Sequence, residues 1–223
     1  SMLVKYDSNG NAQWAKSVSS SASDSSFSSV VIDVSENLYA GGYIQGSGTH
    51  GFGNGVTAAG TFGDHNLVLV KYDSNGNAQW AKSVISGAND SYFYSVDIDA
   101  SGNIYTGGFI NGASAYDVGN GIAVAGAADG CNSMLVKYDS NGNAQWAESV
   151  SSGASDSYFN SVVIDVSGNI YAGGDIYGTG TYGFGDGIIA AGTASGTNLL
   201  LVKYKELVSI AVTPVDPSIA KGL

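Results

Sequence analysis

The sequence predicts an all-β protein built from a repeated unit of 66 residues. The segment LVKYDSNGNAQWA occurs at Leu3–Ala15, Leu69–Ala81 and Leu135–Ala147, and its first four residues return at Leu201–Tyr204 with the same spacing. Such self-similarity indicates one supersecondary unit whose copies bury their apolar faces against each other. The chain has 33 glycines, 14 tyrosines and two prolines, a composition that favours short strands joined by tight turns. It shows no useful helical periodicity.

The second copy predicts the first strand and its turn most clearly. Apolar and polar residues alternate within Tyr92–Ala100, the period-2 pattern of a strand. The connection Asp99–Asn103 is a tight turn in which Gly102 supplies a positive φ and the aspartate accepts backbone N–H bonds. The first copy has Glu36 in place of this glycine. We therefore expect a left-handed backbone at Glu36.

Three further strands complete the predicted unit. The second strand, Ile104–Ile110, contains paired glycines, which indicate the close approach of another backbone. A long connection then carries its own hairpin signal, Asn120-Gly121, which predicts a small hairpin projecting from the sheet. In the first copy, Leu67–Tyr72 is a continuous apolar run, typical of a strand covered on both faces. The DSNGN turn leads from this strand into the fourth one, Ala78–Val84.

Four antiparallel strands with one buried on both faces fit the blade of a β-propeller. The order of motifs is a strand, D-x-S-G-N, IYxGG, a loop with GFGxG and AAG, and then LVKYDSNGNAQWA. This order resembles the bacterial β-propeller repeat family (SBBP-type repeats) of large exported proteins, from about Met2 to Tyr204. The resemblance implies a four-stranded blade in a secreted or surface-attached scaffold. It implies no catalytic residues.

The chain is predicted to divide into a repeat region, 1–206, and a short C-terminal stretch, 207–223. This stretch, LVSIAVTPVDPSIAKGL, resembles the first strand of a bacterial immunoglobulin-like domain, so it is interpreted as the start of such a domain or as a linker. We expect the chain to be a piece of a longer modular protein. Within the repeat region, the copies are expected at 3–68, 69–134 and 135–200, with a truncated fourth copy from 201.

The strand order predicts about three blades, fewer than the four to eight that are usual for a propeller. The N-terminal copy supplies only a third and a fourth strand, so Asn11–Val18 could complete the blade built on Phe159–Tyr204. An open array would leave apolar sheet faces in water. We therefore hypothesise that two chains form a homodimer and close a six-bladed ring, with strands exchanged at the seams. The rival hypothesis is that the native protein has more repeats.

The charge of the chain limits its partners. Eight Lys and no Arg stand against 19 acidic residues, for a net charge of -11, which disfavours nucleic acid and anionic membranes. No apolar run is long enough to predict a membrane span. Cys131 is the only cysteine, which excludes an intrachain disulfide, and its repeat equivalents are His65 and Thr197. It is therefore interpreted as a loop residue and not as a nucleophile.

The candidate chemical motifs all have a simpler structural interpretation. The DSNGN segments faintly resemble a calcium loop, but the glycine and glutamate that such a loop needs are missing, which favours a hairpin turn. Nothing in the sequence marks a nucleophile or a set of metal ligands grouped with His50 or His65, so no metal site, cofactor or catalytic residue is predicted. Two repeated sets remain. The aspartates could line a channel and hold a cation but more simply cap their own turns, and the tryptophans are interpreted as packing residues: Asp33, Asp99 and Asp165, then Trp14, Trp80 and Trp146.

One end of the fold is the predicted binding end, if the protein binds a ligand. The connections between the fourth and first strands and between the second and third strands lie at this end, and they hold most of the differences between copies. The candidate ligand-binding residues there are four aromatic residues expected to be exposed stacking platforms for glycans or peptides: Phe109, Tyr116, Tyr177 and Tyr182.

The sequence thus predicts a non-enzymatic scaffold or adhesion module of an exported or cell-surface protein. A carbohydrate-binding, lectin-like module is the alternative from another functional class. An enzyme that uses the channel aspartates is a third, weaker alternative.

Overall fold

The computed structural model describes residues 2–21 and 23–205, and the predicted immunoglobulin-like stretch lies outside them. The fold is all-β, with 0% helix and 58% strand, as predicted. A search of the described residues finds no helix that is long and apolar enough to cross a membrane.

The described residues form nineteen strands. In chain order they are β1 (Leu3–Tyr6), β2 (Ala12–Lys16), β3 (Ser25–Ile32), β4 (Leu38–Gln45), β5 (Thr49–Gly53), β6 (Val56–Ala59), β7 (His65–Tyr72), β8 (Ala78–Ser83), β9 (Ser91–Ile98), β10 (Ile104–Asn111), β11 (Ala115–Asp117), β12 (Ala123–Ala125), β13 (Cys131–Tyr138), β14 (Ala144–Ser149), β15 (Ser157–Ile164), β16 (Asn169–Tyr177), β17 (Thr181–Gly183), β18 (Ile189–Ala191) and β19 (Thr197–Lys205).

Most of these strands form three antiparallel sheets that repeat one topology. Sheet 1 has the order β3-β4-β7-β8, sheet 2 has β9-β10-β13-β14, and sheet 3 has β15-β16-β19. The second and third strands of each sheet pair in the same register. Equivalent residue pairs lie 66 residues apart along the chain: Leu38 with Tyr72, Ile104 with Tyr138, and Ile170 with Tyr204. The predicted order of four strands is confirmed in sheets 1 and 2.

The long connections form the predicted small hairpins, but these hairpins do not project. They are β5–β6, β11–β12 and β17–β18, and their turn residues Asn54, Asn120 and Asp186 have positive φ. In the first two copies the hairpin folds back against the fourth strand of its own sheet, where β6 contacts β8 and β12 contacts β14. A bridge between Ser86 and Asp117 fixes this position in the second copy.

The turn between the first and second strands has the predicted chemistry. In the second copy, Oδ1 of Asp99 accepts the backbone N–H groups of Ser101 at 2.8 Å and of Asn103 at 2.9 Å. In the first copy, Glu36 has a φ of 61°, which confirms the left-handed backbone expected there. The side chain of Glu36 lies 3.3 Å from Nζ of Lys5, an exposed contact that adds little stability.

The second glycine of each pair allows a close approach within its own sheet. A Cβ atom on Gly108 would lie 1.8 Å from the carbonyl oxygen of Tyr92, because β9 shifts register against β10 at this point. The first glycine of the pair faces the next sheet, since a Cβ on Gly107 would lie 3.4 Å from Cβ of Phe159. The predicted close approach of a backbone is therefore confirmed, but it comes from the neighbouring strand and not from another sheet.

Strand β7 is covered on both faces, as its apolar run predicts. Val68 and Val70 face one side and Leu67 and Leu69 the other, and all four are fully buried. Leu67 and Leu69 belong to the same core cluster as Phe93 and Val96 of β9, so the cover on that side is the next sheet.

Backbone hydrogen bonds to an Asp-Ser pair join each sheet to the next. His65 and Leu67 lie at the start of β7, where β8 does not pair with it. Their N–H groups donate to Oδ1 of Asp90 and to Oγ of Ser91, both at 3.0 Å. We call this pair of bonds the Asp–Ser bridge. It recurs between sheets 2 and 3, where Cys131 and Ser133 donate to Asp156 and Ser157, both at 2.9 Å.

The N-terminal hairpin β1–β2 packs on sheet 1. Leu3, Trp14 and Val18 share a core cluster with residues of sheet 1, and Nε1 of Trp14 donates to the carbonyl oxygen of Ser74 at 3.1 Å. Strand β2 pairs with β1. Within one chain, therefore, β2 does not complete sheet 3 as the sequence suggested.

The different surroundings of the first and second glycine of each pair allow a test of this packing. We expect Gly108→Ala to lower the free energy of unfolding by more than about 2 kcal/mol, because its Cβ would overlap a backbone oxygen that cannot move away. Gly41→Ala is the matched control, since its Cβ would meet Cβ of Phe93 at 3.5 Å, an ordinary van der Waals contact, and we expect a change within about 1 kcal/mol. Urea unfolding followed by tryptophan fluorescence measures both. Equal effects would contradict this description of the sheet.

Candidate functional site

Three of the four predicted ligand-binding residues are buried. Tyr116 and Tyr182 are fully buried and Phe109 nearly so, whereas Tyr177 is 49% exposed. The expected exposure of Tyr116, Tyr182 and Phe109 was therefore wrong, and only Tyr177 offers a ring to a ligand in the way the sequence suggested.

Tyr116 and Tyr182 hold the small hairpins onto the sheets. The hydroxyl of Tyr116 donates to the carbonyl oxygen of Asn111 at 2.7 Å, and the hydroxyl of Tyr182 donates to that of Tyr177. Burial raises the pKa of Tyr116 to about 12. Each ring thus fills a core site and satisfies its hydroxyl, the usual arrangement for a buried tyrosine.

In the first copy, His50 replaces this tyrosine and a second substitution accompanies it. Nε2 of His50 lies 3.0 Å from the carbonyl oxygen of Gln45, so the imidazole reproduces the hydrogen bond of the tyrosine hydroxyl. Gly87 packs against the ring of Tyr116, where a Cβ would lie 2.5 Å from Cδ1. The position equivalent to Gly87 in the first copy is Ser21. In the first copy a smaller imidazole therefore accompanies a larger neighbour, and His50 is a core residue.

A row of aromatic rings crosses from sheet 1 to sheet 3 at the predicted binding end. The ring of Tyr92 lies 4.7 Å from that of Tyr43, 4.8 Å from that of His65 and 5.2 Å from that of Phe109. Phe109 in turn lies 5.3 Å from Tyr158 on β15. We call these five residues the aromatic strip. Apart from Phe109 they are partly exposed, so their edges are accessible to solvent.

The aromatic strip was missed at the level of sequence because its members come from different repeats and strands. Phe109 lies at the end of β10, whereas Tyr92 and Tyr158 open the first strands of sheets 2 and 3. The available signal was a tyrosine after the Asp-Ser pair in the second and third copies, where the first copy has Ser26. This signal identifies an aromatic position but does not show which rings meet.

His65 has two carboxylate neighbours, Asp64 beside it in the chain and Asp90, whose approach the sequence did not indicate. Its Nδ1 lies 3.0 Å from Oδ1 of Asp64 and 3.6 Å from Oδ1 of Asp90, which comes from the next repeat. These atoms lie within 4.8 Å of one another and are donor types that transition metals accept. Each carboxylate also has a structural partner. Asp90 belongs to the Asp–Ser bridge, and Oδ1 of Asp64 accepts a hydrogen bond from Nε2 of Gln45 at 3.1 Å.

Cys131 lies at the equivalent place between sheets 2 and 3. Burial raises the pKa of its thiol, and the nearby carboxylate of Asp156 adds to this effect, although a hydrogen bond with Tyr158 opposes it. The thiolate is the nucleophilic form of cysteine, so a raised pKa argues against a reactive residue.

The repeated aspartates cap their turns. In the DSNGN turn of the N-terminal hairpin, Oδ1 of Asp7 accepts the N–H groups of Asn9 at 2.9 Å and Asn11 at 2.8 Å. Hydrogen bonds from Asn11 are the main reason that the pKa of Asp7 is lowered. At Asp99, burial raises the pKa, but hydrogen bonds from Asn103 and others outweigh it and leave the pKa lowered. These contacts match the capping interpretation of the sequence.

Trp14 and Trp80 pack against the turn of the following sheet. A Cβ on Gly76 would lie 2.9 Å from the ring of Trp14, and one on Gly142 would lie 3.1 Å from the ring of Trp80. Near the second contact, a shallow groove of about 360 Å³ lies between sheets 1 and 2. Lys82 and Asn120 contribute polar atoms to it.

No protein-family model matches this chain, and no curated protein matches it significantly.

The pairing of Gly87 with Tyr116 predicts a coupled pair of substitutions. Gly87→Ser should lower the free energy of unfolding by about 1–3 kcal/mol, because its side chain overlaps the tyrosine ring. Adding Tyr116→His, which recreates the pair found in the first copy, should recover at least about 1 kcal/mol of this loss. A double-mutant cycle by urea unfolding, with Tyr116→His alone as the fourth corner, measures the coupling. Additive effects of the two substitutions would show that the residues do not compensate each other.

Proposed function

We propose that this chain is a non-enzymatic scaffold, a β-propeller segment of an exported or cell-surface modular protein. The observation that carries this proposal is the repetition of one junction between sheets. The N–H of Val96 donates to Oγ of Ser29 at 3.2 Å, and one repeat later the N–H of Val162 donates to Oγ of Ser95 at 3.0 Å. A surface repeated with this fidelity serves to stack sheets.

The arrangement of the first strands supports a propeller over a flat stack. Strand β9 contacts both β3 and β15, so the first strands of the three sheets follow one another directly. In a propeller the first strand of every blade lies next to the central axis. Export and surface attachment are inferred from the resemblance to the bacterial repeat family.

The ionisable side chains support a scaffold over an enzyme. The repeated aspartates accept hydrogen bonds within their own turns, as at Asp99 and Asp165. His50 occupies a core site, and Asp90 and Asp156 join neighbouring sheets. These groups therefore have structural tasks that account for their positions.

A carbohydrate-binding module is the second candidate function, and the aromatic strip favours it. Tyrosine rings that are partly exposed at one end of a rigid scaffold suit stacking against sugar rings. The residues that would carry this function are Tyr43, Tyr92 and Tyr158 together with Tyr177, because Tyr116 and Tyr182 are buried.

A glycan array separates the two candidates. The scaffold predicts that the chain binds no glycan above background. The carbohydrate-binding module predicts binding that Tyr92→Ala or Tyr177→Ala weakens at least fivefold through lost stacking. Tyr6→Ala is the matched control, because Tyr6 is exposed on the N-terminal hairpin, away from the strip. Glycan binding that depends on the strip but not on Tyr6 would overturn the scaffold.

A further inference from the structure

One face of sheet 3 is apolar and uncovered. Leu199 and Leu201 on β19 are 94% and 74% exposed. The residues at the same positions of β7, Leu67 and Leu69, are fully buried, as is Leu135 on β13. In sheets 1 and 2 the cover on this face is the next sheet. The described residues of sheet 3 end before any such cover.

The matching half of the junction is uncovered on sheet 1. Val30 and Ile32 on β3 are 49% and 53% exposed. The equivalents of Val30, which are Val96 on β9 and Val162 on β15, are buried because each packs on the preceding sheet. The equivalents of Ile32, which are Ile98 and Ile164, are partly buried against the same clusters. Sheet 3 thus presents one side of the repeated junction, and sheet 1 presents the other.

The two internal junctions show how these faces fit. A Cβ on Gly41 of sheet 1 would lie 3.5 Å from Cβ of Phe93 and 3.7 Å from Cβ of Val96, which is ordinary contact. The equivalent Gly173 of sheet 3 has nothing within 4 Å. By the repeat, the side chains that fit over Gly173 are Phe27 and Val30.

Sheet 3 carries the donor position of the aspartate bond in the Asp–Ser bridge, and the residue before sheet 1 carries its acceptor position. Its donors in the two internal junctions are the N–H groups of His65 and Cys131, and the equivalent residue of sheet 3 is Thr197. Its acceptors are Asp90 and Asp156, and the equivalent residue before β3 is Asp24.

We propose that sheet 3 of one copy of this chain docks on sheet 1 of a second copy and reproduces the internal junction. The proposal rests on the stacked scaffold proposed above and names its partner as a second copy of the chain. Two such contacts related by a two-fold axis close a ring of six sheets, with Asp24 of each copy accepting the N–H of Thr197 of the other. The dimer gains the burial of Leu199, Val30 and Ile32, while Leu201 takes the place of Leu3.

The N-terminal hairpin requires that β19 of the partner take the place of β1. Leu3–Tyr6 on β1 and Leu201–Tyr204 on β19 have the same sequence, LVKY, and occupy the same position of the repeat. Since β1 already covers part of sheet 1, β19 of the partner must replace it there. It then pairs with β2 in the register that β1 now has, with Leu201 opposite Lys16 as Leu3 is now.

The identity of the two segments makes this exchange nearly neutral in itself. Leu201 enters the site that Leu3 leaves, and the hydrogen bonds of β1 to β2 are replaced by those of β19 to β2. Strand β19 is longer, with nine residues against four in β1, so it adds the burial of Leu199. Replacing one segment by another of the same sequence therefore costs little, as it does in domain swapping.

Sedimentation equilibrium of the full chain in 150 mM NaCl tests the proposal. We expect a dimer of the 22.6 kDa chain at micromolar concentration. Leu201→Asp should raise the dissociation constant at least tenfold, because it places a charge in the junction. Leu3→Asp should lower the dissociation constant, because it weakens only the strand that must leave. Val166→Asp is the matched control and should change nothing, since both Val166 and its equivalent Val34 are fully exposed.

A wild-type chain that remains monomeric would overturn the proposal. So would an equal loss of association in the Leu3→Asp and Leu201→Asp variants, or a ladder of oligomers in place of a dimer. Small-angle scattering of the Leu201→Asp monomer separates this failure from that of the scaffold. A profile that matches three stacked sheets leaves the scaffold intact even where the dimer is absent, whereas a profile of separate or unfolded sheets contradicts both.

Discussion

The contact between one sheet and the next is the interaction on which the rest of the structure depends. A single repeat cannot bury the apolar strand at its centre, because one face of this strand is covered only by the following repeat. Sheet 3 shows the consequence, since Leu199 and Leu201 face solvent where Leu67 and Leu69 are buried. The Asp–Ser bridge orients one sheet on the next, because backbone N–H groups of one sheet donate to side-chain acceptors of the next. The folding stability of each repeat therefore depends on its contact with a neighbouring repeat.

Much of the fold follows from the sequence because it depends on local patterns. Alternation of apolar and polar residues identifies β9, and the D-x-S-G-N turn fixes its connection to β10. Glu36 in a glycine position correctly predicts its left-handed backbone. The continuous apolar run at β7 correctly predicts cover on both faces. In each case the physical cause lies within a few residues of the signal, so one repeat is enough to recognise it.

The candidate site could not be predicted in the same way because its members meet only after folding. Tyr116 lies in a long connection and looks exposed, yet the hairpin that carries it folds back and buries its ring. Asp90 reaches His65 from the following repeat, and no spacing in the sequence indicates this. The replacement of a tyrosine by His50 looks like a functional change until Ser21 is seen to occupy the position of Gly87. This difference between copies therefore reflects core packing.

Hydrogen exchange at the sheet junctions tests the role of the Asp–Ser bridge most directly. The N–H groups of His65 and Cys131 are protected only by side chains of the next sheet. Both residues lie at the start of the third strand of their sheet, where the fourth strand does not pair with it. We predict that both amides exchange as slowly as those of the ladder between β7 and β8, and that Asp90→Ala accelerates exchange at His65 and leaves Cys131 unchanged. Fast exchange at both positions in the unsubstituted chain would contradict the claim that the bridge joins the sheets.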